Sequence, residues 1–152
     1  MRLMALLLGL LALTPVYAAG VLSVANTVFT LMPQGRPAAI SVSNNGDAPL
    51  YLDVVQQRVL NPGELPERRV AIQNVPQPDL LIPLKQLVVH PGQTRKIPVN
   101  VIFTPPHTTV WRVAFRQREA LSGTGVDSAS FVKLSVSYGV LIYHIGTSEK
   151  GS

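Results

Sequence analysis

From Val21 onward, apolar residues recur at every second position in short runs, and Pro, Gly and Asn separate the runs. A period of two belongs to strands with one face on a core, whereas an amphipathic helix would repeat every three to four residues. The first run is VLSVANTVFTL (21–31), closed by Met32-Pro33-Gln34-Gly35. AAISVSN (38–44) follows, with Ile40 and Val42 alternating with Ser41 and Ser43, and then the turn Asn44-Asn45-Gly46-Asp47. PLYLDVVQQRVL (49–60) ends at Asn61-Pro62-Gly63. RRVAIQ (68–73) and LLIPLKQLVV (80–89) read as weaker extended pieces, the second broken by a proline, which cannot donate in a ladder and so favours edges. KIPVNVIF (96–103) and TVWRVAFRQR (109–118) are clear strands. The latter sets Val110 and Arg112 on one side and Trp111, Val113 and Phe115 on the other. EALSGTGVDSAS (119–130) has the composition of a mobile connection, and FVKLSVSYGVLIYH (131–144) is the last strand. Seven to eight strands without an internal repeat predict an all-β fold, an immunoglobulin-like β-sandwich in preference to a barrel or an α/β fold.

The first 18 residues stand apart from this pattern. Arg2, the apolar run LMALLLGLLAL and the small-residue exit Val16-Tyr17-Ala18 form the three parts of a secretory signal. The run is short for a bilayer span, and no later apolar segment reaches the roughly 20 residues that spanning needs. The expected organisation is therefore 1–18 as a signal peptide, 19–146 as one sandwich domain and 147–152 as a short tail. Zero cysteines in an exported chain mean that burial alone holds the fold, which fits a bacterial periplasm. The net charge of +5 comes from basic residues scattered in ones and twos, and aromatic residues are only 6% of the chain. Nucleic-acid binding needs a concentrated basic face with stacking rings, so no nucleic-acid partner is expected.

Chemistry is sparse. His90 lies in a turn, His107 beside two prolines, and His144 ends the last strand. None has metal-ligand spacing, and all three read as surface or loop histidines. The eight acidic residues lie mostly in turns. Glu64 and Glu67 fall in PGELPERR, which reads as a solvated loop. Neither a phosphate cradle nor a GxSxG elbow is present. The chain is read as not an enzyme, with no cofactor and no metal.

The last strand invites more attention. Val132, Leu134, Val136, Tyr138, Val140 and Ile142 form one apolar row, and Lys133, Ser135, Ser137 and Gly139 the other. An inner sandwich strand accounts for such a row. About 14 residues at roughly 3.3 Å each would run to about 45 Å, however, far beyond an ordinary sandwich strand, so the first part is expected to project past the core. An exposed edge with alternating apolar side chains invites aggregation unless a partner uses it. The suitable partner lacks one strand and takes backbone hydrogen bonds along the edge, with every second side chain in its own groove. The candidate row is Val132, Leu134, Val136 and Tyr138. A one-residue bulge would present Phe131, Lys133 and Ser135 instead.

These residues resemble the periplasmic chaperones of the chaperone–usher pathway, which assemble fimbriae. The resemblance is carried by NPG at 61–63, LLIPLKQLVVHPGQTRKIPV at 80–99, WRVAF at 111–115 and LSVSYGVLIYH at 134–144, in that order. It covers about residues 21–145 and matches the first of that family's two immunoglobulin-like domains, the PapD-like N-terminal domain. The NPG turn and the YGVLI ending look more like the alternate class, which serves class 5 fimbriae. The resemblance implies a periplasmic chaperone that binds incomplete fimbrial (pilin) subunits by donor-strand complementation and delivers them to an outer-membrane usher.

Two departures stand out. PapD-like members anchor the pilin's terminal carboxylate with an arginine near the start of the first strand and a lysine near the end of the last. The matching positions here are Asn26 and Val140, and Arg112 is the substitute candidate for a carboxylate anchor. The second domain of the family is also missing after His144, which leaves a natural one-domain relative and a truncated chain both open. The alternative reading is a secreted β-sandwich that is itself a structural or adhesion module, such as a pilus subunit. Such a subunit should carry an N-terminal donor extension and lack one strand.

Overall fold

The computed structural model describes residues 19–118 and 137–149. Ten strands lie among them: β1 (Leu22–Val24), β2 (Val28–Leu31), β3 (Ala38–Asn44), β4 (Leu50–Val59), β5 (Arg69–Ala71), β6 (Leu80–Leu81), β7 (Gln86–Val89), β8 (Thr94–Val101), β9 (Thr109–Gln117) and β10 (Ser137–His144). The predicted immunoglobulin-like sandwich is the fold observed. Two of the expected runs are each divided in two. The first changes sheet between β1 and β2, and the run at 80–89 breaks around Pro83 between β6 and β7.

One sheet has the order β1-β3-β8-β6. The other runs β2-β10-β9-β4, with β5 and β7 both paired to β4. Every pairing is antiparallel except that of β2 with β10, which is parallel. Inward rows from both sheets form the core: Ile40 and Val42 on β3, Leu50 and Leu52 on β4, Ile97 on β8, Trp111, Val113 and Phe115 on β9, and Val140 and Ile142 on β10. The sheets twist and interdigitate over this apolar layer, which supplies the main driving force for folding in a chain with no disulfide.

Two buried amides join pieces that the ladders leave separate. Gln56, on the inner row of β4, donates from Nε2 to the Leu80 carbonyl (3.0 Å) and accepts from Ile82 N (2.9 Å), which ties one sheet to the β6 segment of the other. Asn44 donates to the carbonyls of Ala48 and Val89 and accepts from Val21 N and Gly46 N, which fixes the turn after β3 against the entry to β1. At that turn only glycine fits: a Cβ on Gly46 would overlap the Ala19 carbonyl oxygen and stand 2.7 Å from Val21 N. No helix among the described residues is long and apolar enough to cross a membrane.

Candidate functional site

The site is built around β10, which lies between β9 and the short β2. Its pairing with β9 runs along its full described length, from Ser137 opposite Arg116 to His144 opposite Thr109. On the other side β2 covers only Leu141 to His144, aided by Leu141 N donating to the Thr27 carbonyl at 2.8 Å. From Ser137 to Val140 that side of the strand faces no other strand among the described residues. The half-open edge follows from the sheet change at residues 25–27, which leaves β2 too short to reach further.

Exposure changes along the same strand. Ile142 and Val140 are fully buried, whereas Tyr138, in the same row and opposite the buried Phe115, is 39% exposed. The inner face therefore leaves the core at Tyr138. Val132, Leu134 and Val136 lie outside the described residues, as do the connection at 119–130 and the projecting part of the expected 14-residue strand. Of the candidate row, Tyr138 alone has a described position.

Arg112 lies on the outer face of the same sheet, opposite Leu141. Glu67 holds it in two parallel hydrogen bonds: Nε to Oε1 at 2.8 Å and Nη2 to Oε2 at 2.7 Å. Arg69 Nε reaches the same Oε1 at 2.7 Å. Gly139 on β10 leaves room for the guanidinium, since a Cβ there would stand 3.0 Å from Arg112 Nη1. The hydrogen bond from Arg112 holds the Glu67 carboxyl below its usual range against an opposing desolvation cost, with the charges of Arg112 and Arg69 acting in the same direction. In return, the bond to Glu67 raises the Arg112 guanidinium further. Glu67 is therefore not the freely solvated loop acid that PGELPERR suggests. Asn61 arranges this by clamping the loop, donating to the Pro66 carbonyl and accepting from Arg68 N at 2.6 Å. The carboxylate that Arg112 binds is one from its own chain. Val140, at the other position compared with the family's basic anchors, is a core residue.

A second cluster was not foreseen. His144 is buried instead of lying at the surface, because it continues the inward row of Val140 and Ile142. Its Nδ1 lies 2.6 Å from Asp79 Oδ2. Asp79 is also buried rather than in a solvated turn, and accepts from Thr109 Oγ1 (2.6 Å) and Trp111 Nε1 (3.2 Å to Oδ1). Alternation gave the signal that could have found it, since a histidine in phase with two core residues needs a polar partner inside. The order of contacts is that of a clamp: the threonine hydroxyl donates to the carboxylate and not to the imidazole, so Thr109, Trp111 and His144 all converge on Asp79. Among the described residues no group of three His, Cys, Asp or Glu could hold a metal ion.

No protein-family model matches the chain, and no curated protein sequence does. Solved structures do. A chain of the chaperone–tip adhesin complex of CFA/I fimbriae biogenesis matches with a TM-score of 0.67 at 18% identity, over 82% of this chain and 56% of that one. The class 5 fimbriae chaperone CfaA matches at 0.65 and 20% identity, over 82% and 56%. A chain of the CsuC–CsuE chaperone–tip adhesion subunit pre-assembly complex from archaic chaperone–usher Csu pili of Acinetobacter baumannii matches at 0.60 and 10% identity, over 86% and 58%. The structural neighbours are thus fimbrial chaperones, and the chain spans a little over half of their length. At these identities the likeness establishes a shared fold.

Proposed function

We propose that this chain is the strand-lending domain of a periplasmic fimbrial chaperone, exported by residues 1–18, which binds incomplete pilin subunits through β10 and its extension and passes them to an outer-membrane usher. The observation that carries the reading is the edge of β10 from Ser137 to Val140, paired to β9 on one side and to no described strand on the other. An added strand would find backbone donors and acceptors there, and the row Tyr138, Val136, Leu134 and Val132 would enter its groove. Burying about four such side chains at roughly 1.5 to 3 kcal/mol each gives on the order of 6 to 12 kcal/mol before ordering costs, enough for a complex that is stable yet exchangeable. The fold of the neighbours supports the same reading. A pilus subunit itself should lack a strand, whereas here β10 fills the place between β2 and β9.

The test is co-expression with pilin-like subunits from the same genome. A one-to-one periplasmic complex is expected, and Leu134→Asp and Val136→Asp should abolish it while the free chain stays folded. A complex indifferent to both changes would remove strand lending from consideration.

A further inference from the structure

Three arginines, Arg112, Arg116 and Arg118, share the outward row of β9 and its continuation, in alternation with the buried Val113 and Phe115. Two of them already hold an acid of their own chain. Glu67 takes Arg112 in paired hydrogen bonds, and Asp53 accepts from Arg118 Nε at 2.7 Å. Arg116 stands between them in the row, exposed, and its guanidinium has no hydrogen bond or ion pair with any described residue. Asp53 is its neighbour across the β4 ladder, yet the guanidinium that Asp53 holds is that of Arg118. On the other side Arg116 is opposite Ser137, in the stretch of β10 whose far edge faces no described strand. Ser137 and Gly139 put no bulk on the outer face there. A guanidinium from β9 does lie over β10, since Arg112 Nη1 stands 3.0 Å from where a Cβ on Gly139 would be.

Resting on the strand-lending reading, we infer that Arg116 selects guest strands that carry an aspartate or glutamate at the outward position beside Ser137. A strand added to the edge of β10 lies two inter-strand spacings from β9, about 9.5 Å. A long arginine and a carboxylate on the same face bridge that span over the small serine between them. The contact sits at the rim of the interface, outside the groove that takes the apolar row. It therefore steers and discriminates more than it holds: an acidic guest is drawn in, and a guest with lysine or arginine at that position is repelled. The apolar row supplies the affinity, and Arg116 supplies a choice among guests.

The test measures capture of a pilin-like subunit from the same genome by the full chain carrying Arg116→Gln or Arg116→Glu, at low and at high salt. At low salt Arg116→Gln should weaken capture about threefold and Arg116→Glu about tenfold, and both losses should shrink at high salt. The unfolding midpoint of the free chain should stay at the parent value, because Arg116 is exposed and without a described partner. Each aspartate and glutamate of the subunit is then changed singly to arginine, and one of these changes should restore capture by Arg116→Glu to within about threefold of the parent pair. Undiminished capture by Arg116→Glu at low salt, or failure of every acid-to-arginine change to restore it, overturns the selection by Arg116. Strand lending survives either result as long as Leu134→Asp still abolishes the complex. A parent chain that captures no subunit removes strand lending and the selection together.

Discussion

His144 Nδ1 lies 2.6 Å from Asp79 Oδ2 across 65 residues of sequence, with both side chains almost wholly withdrawn from water. The pair ties the end of β10 to the segment entering β6, and so joins the two sheets at one end of the sandwich. Asp79→Ala strands three donors at once and leaves a void, and should lower stability by about 3 to 5 kcal/mol. Asp79→Asn keeps an acceptor for Thr109 and Trp111 and should cost about 1 to 3 kcal/mol. Urea unfolding of the two variants beside the parent checks the ranking, and equal midpoints for all three would mean that the clamp contributes nothing.

Gln56 makes another polar link between the sheets. Gln56→Met keeps the volume but leaves the Leu80 carbonyl and Ile82 N without partners in a dry interior. The expected loss is about 2 kcal/mol or more, read as a lower thermal midpoint with an unchanged circular dichroism spectrum at room temperature.

Glu67 sets a pH dependence. Its carboxyl is held below the ordinary range in the folded chain, so its contribution is complete above that range and declines as the pH falls through the folded value. The pair is partly hydrated, and its contribution should be on the order of 1 kcal/mol at neutral pH. Glu67→Gln should therefore lower the urea midpoint near neutrality and converge with the parent in acid. Parallel pH profiles for parent and variant would contradict this.

Tyr138 distinguishes strand lending from simple core packing. It sits in the inward row but is 39% exposed, unlike Val140 and Ile142. Tyr138→Ala should cost the isolated chain only on the order of 1 kcal/mol while weakening pilin capture about tenfold, whereas Val140→Ala should chiefly reduce stability. The comparison requires an unfolding curve and a pull-down for each variant.

The period-two pattern was enough to place β3, β4 and β9 to within a residue and β8 to within two, because each has one face on the core. It did not reveal the change of sheet within 21–31. Both halves of that run alternate in the same way, and alternation does not say which sheet a face belongs to. The pairing of Glu67 with Arg112 escaped for another reason: it joins residues 45 apart whose meeting depends on a loop clamped by Asn61. His144 was legible in principle from its phase with Ile142, but its chemistry depends on Asp79, which no local pattern connects to it.

The shortness of β2 has one more consequence. Val28 occupies the slot beside Leu141, so under the proposed strand lending a guest strand sliding along β10 would come to a halt there. The depth of insertion would be set by this molecule and not by its guest. Guests of different sequence would then be obliged to present their pockets at the same distance from one fixed barrier, which acts as a ruler built into the fold.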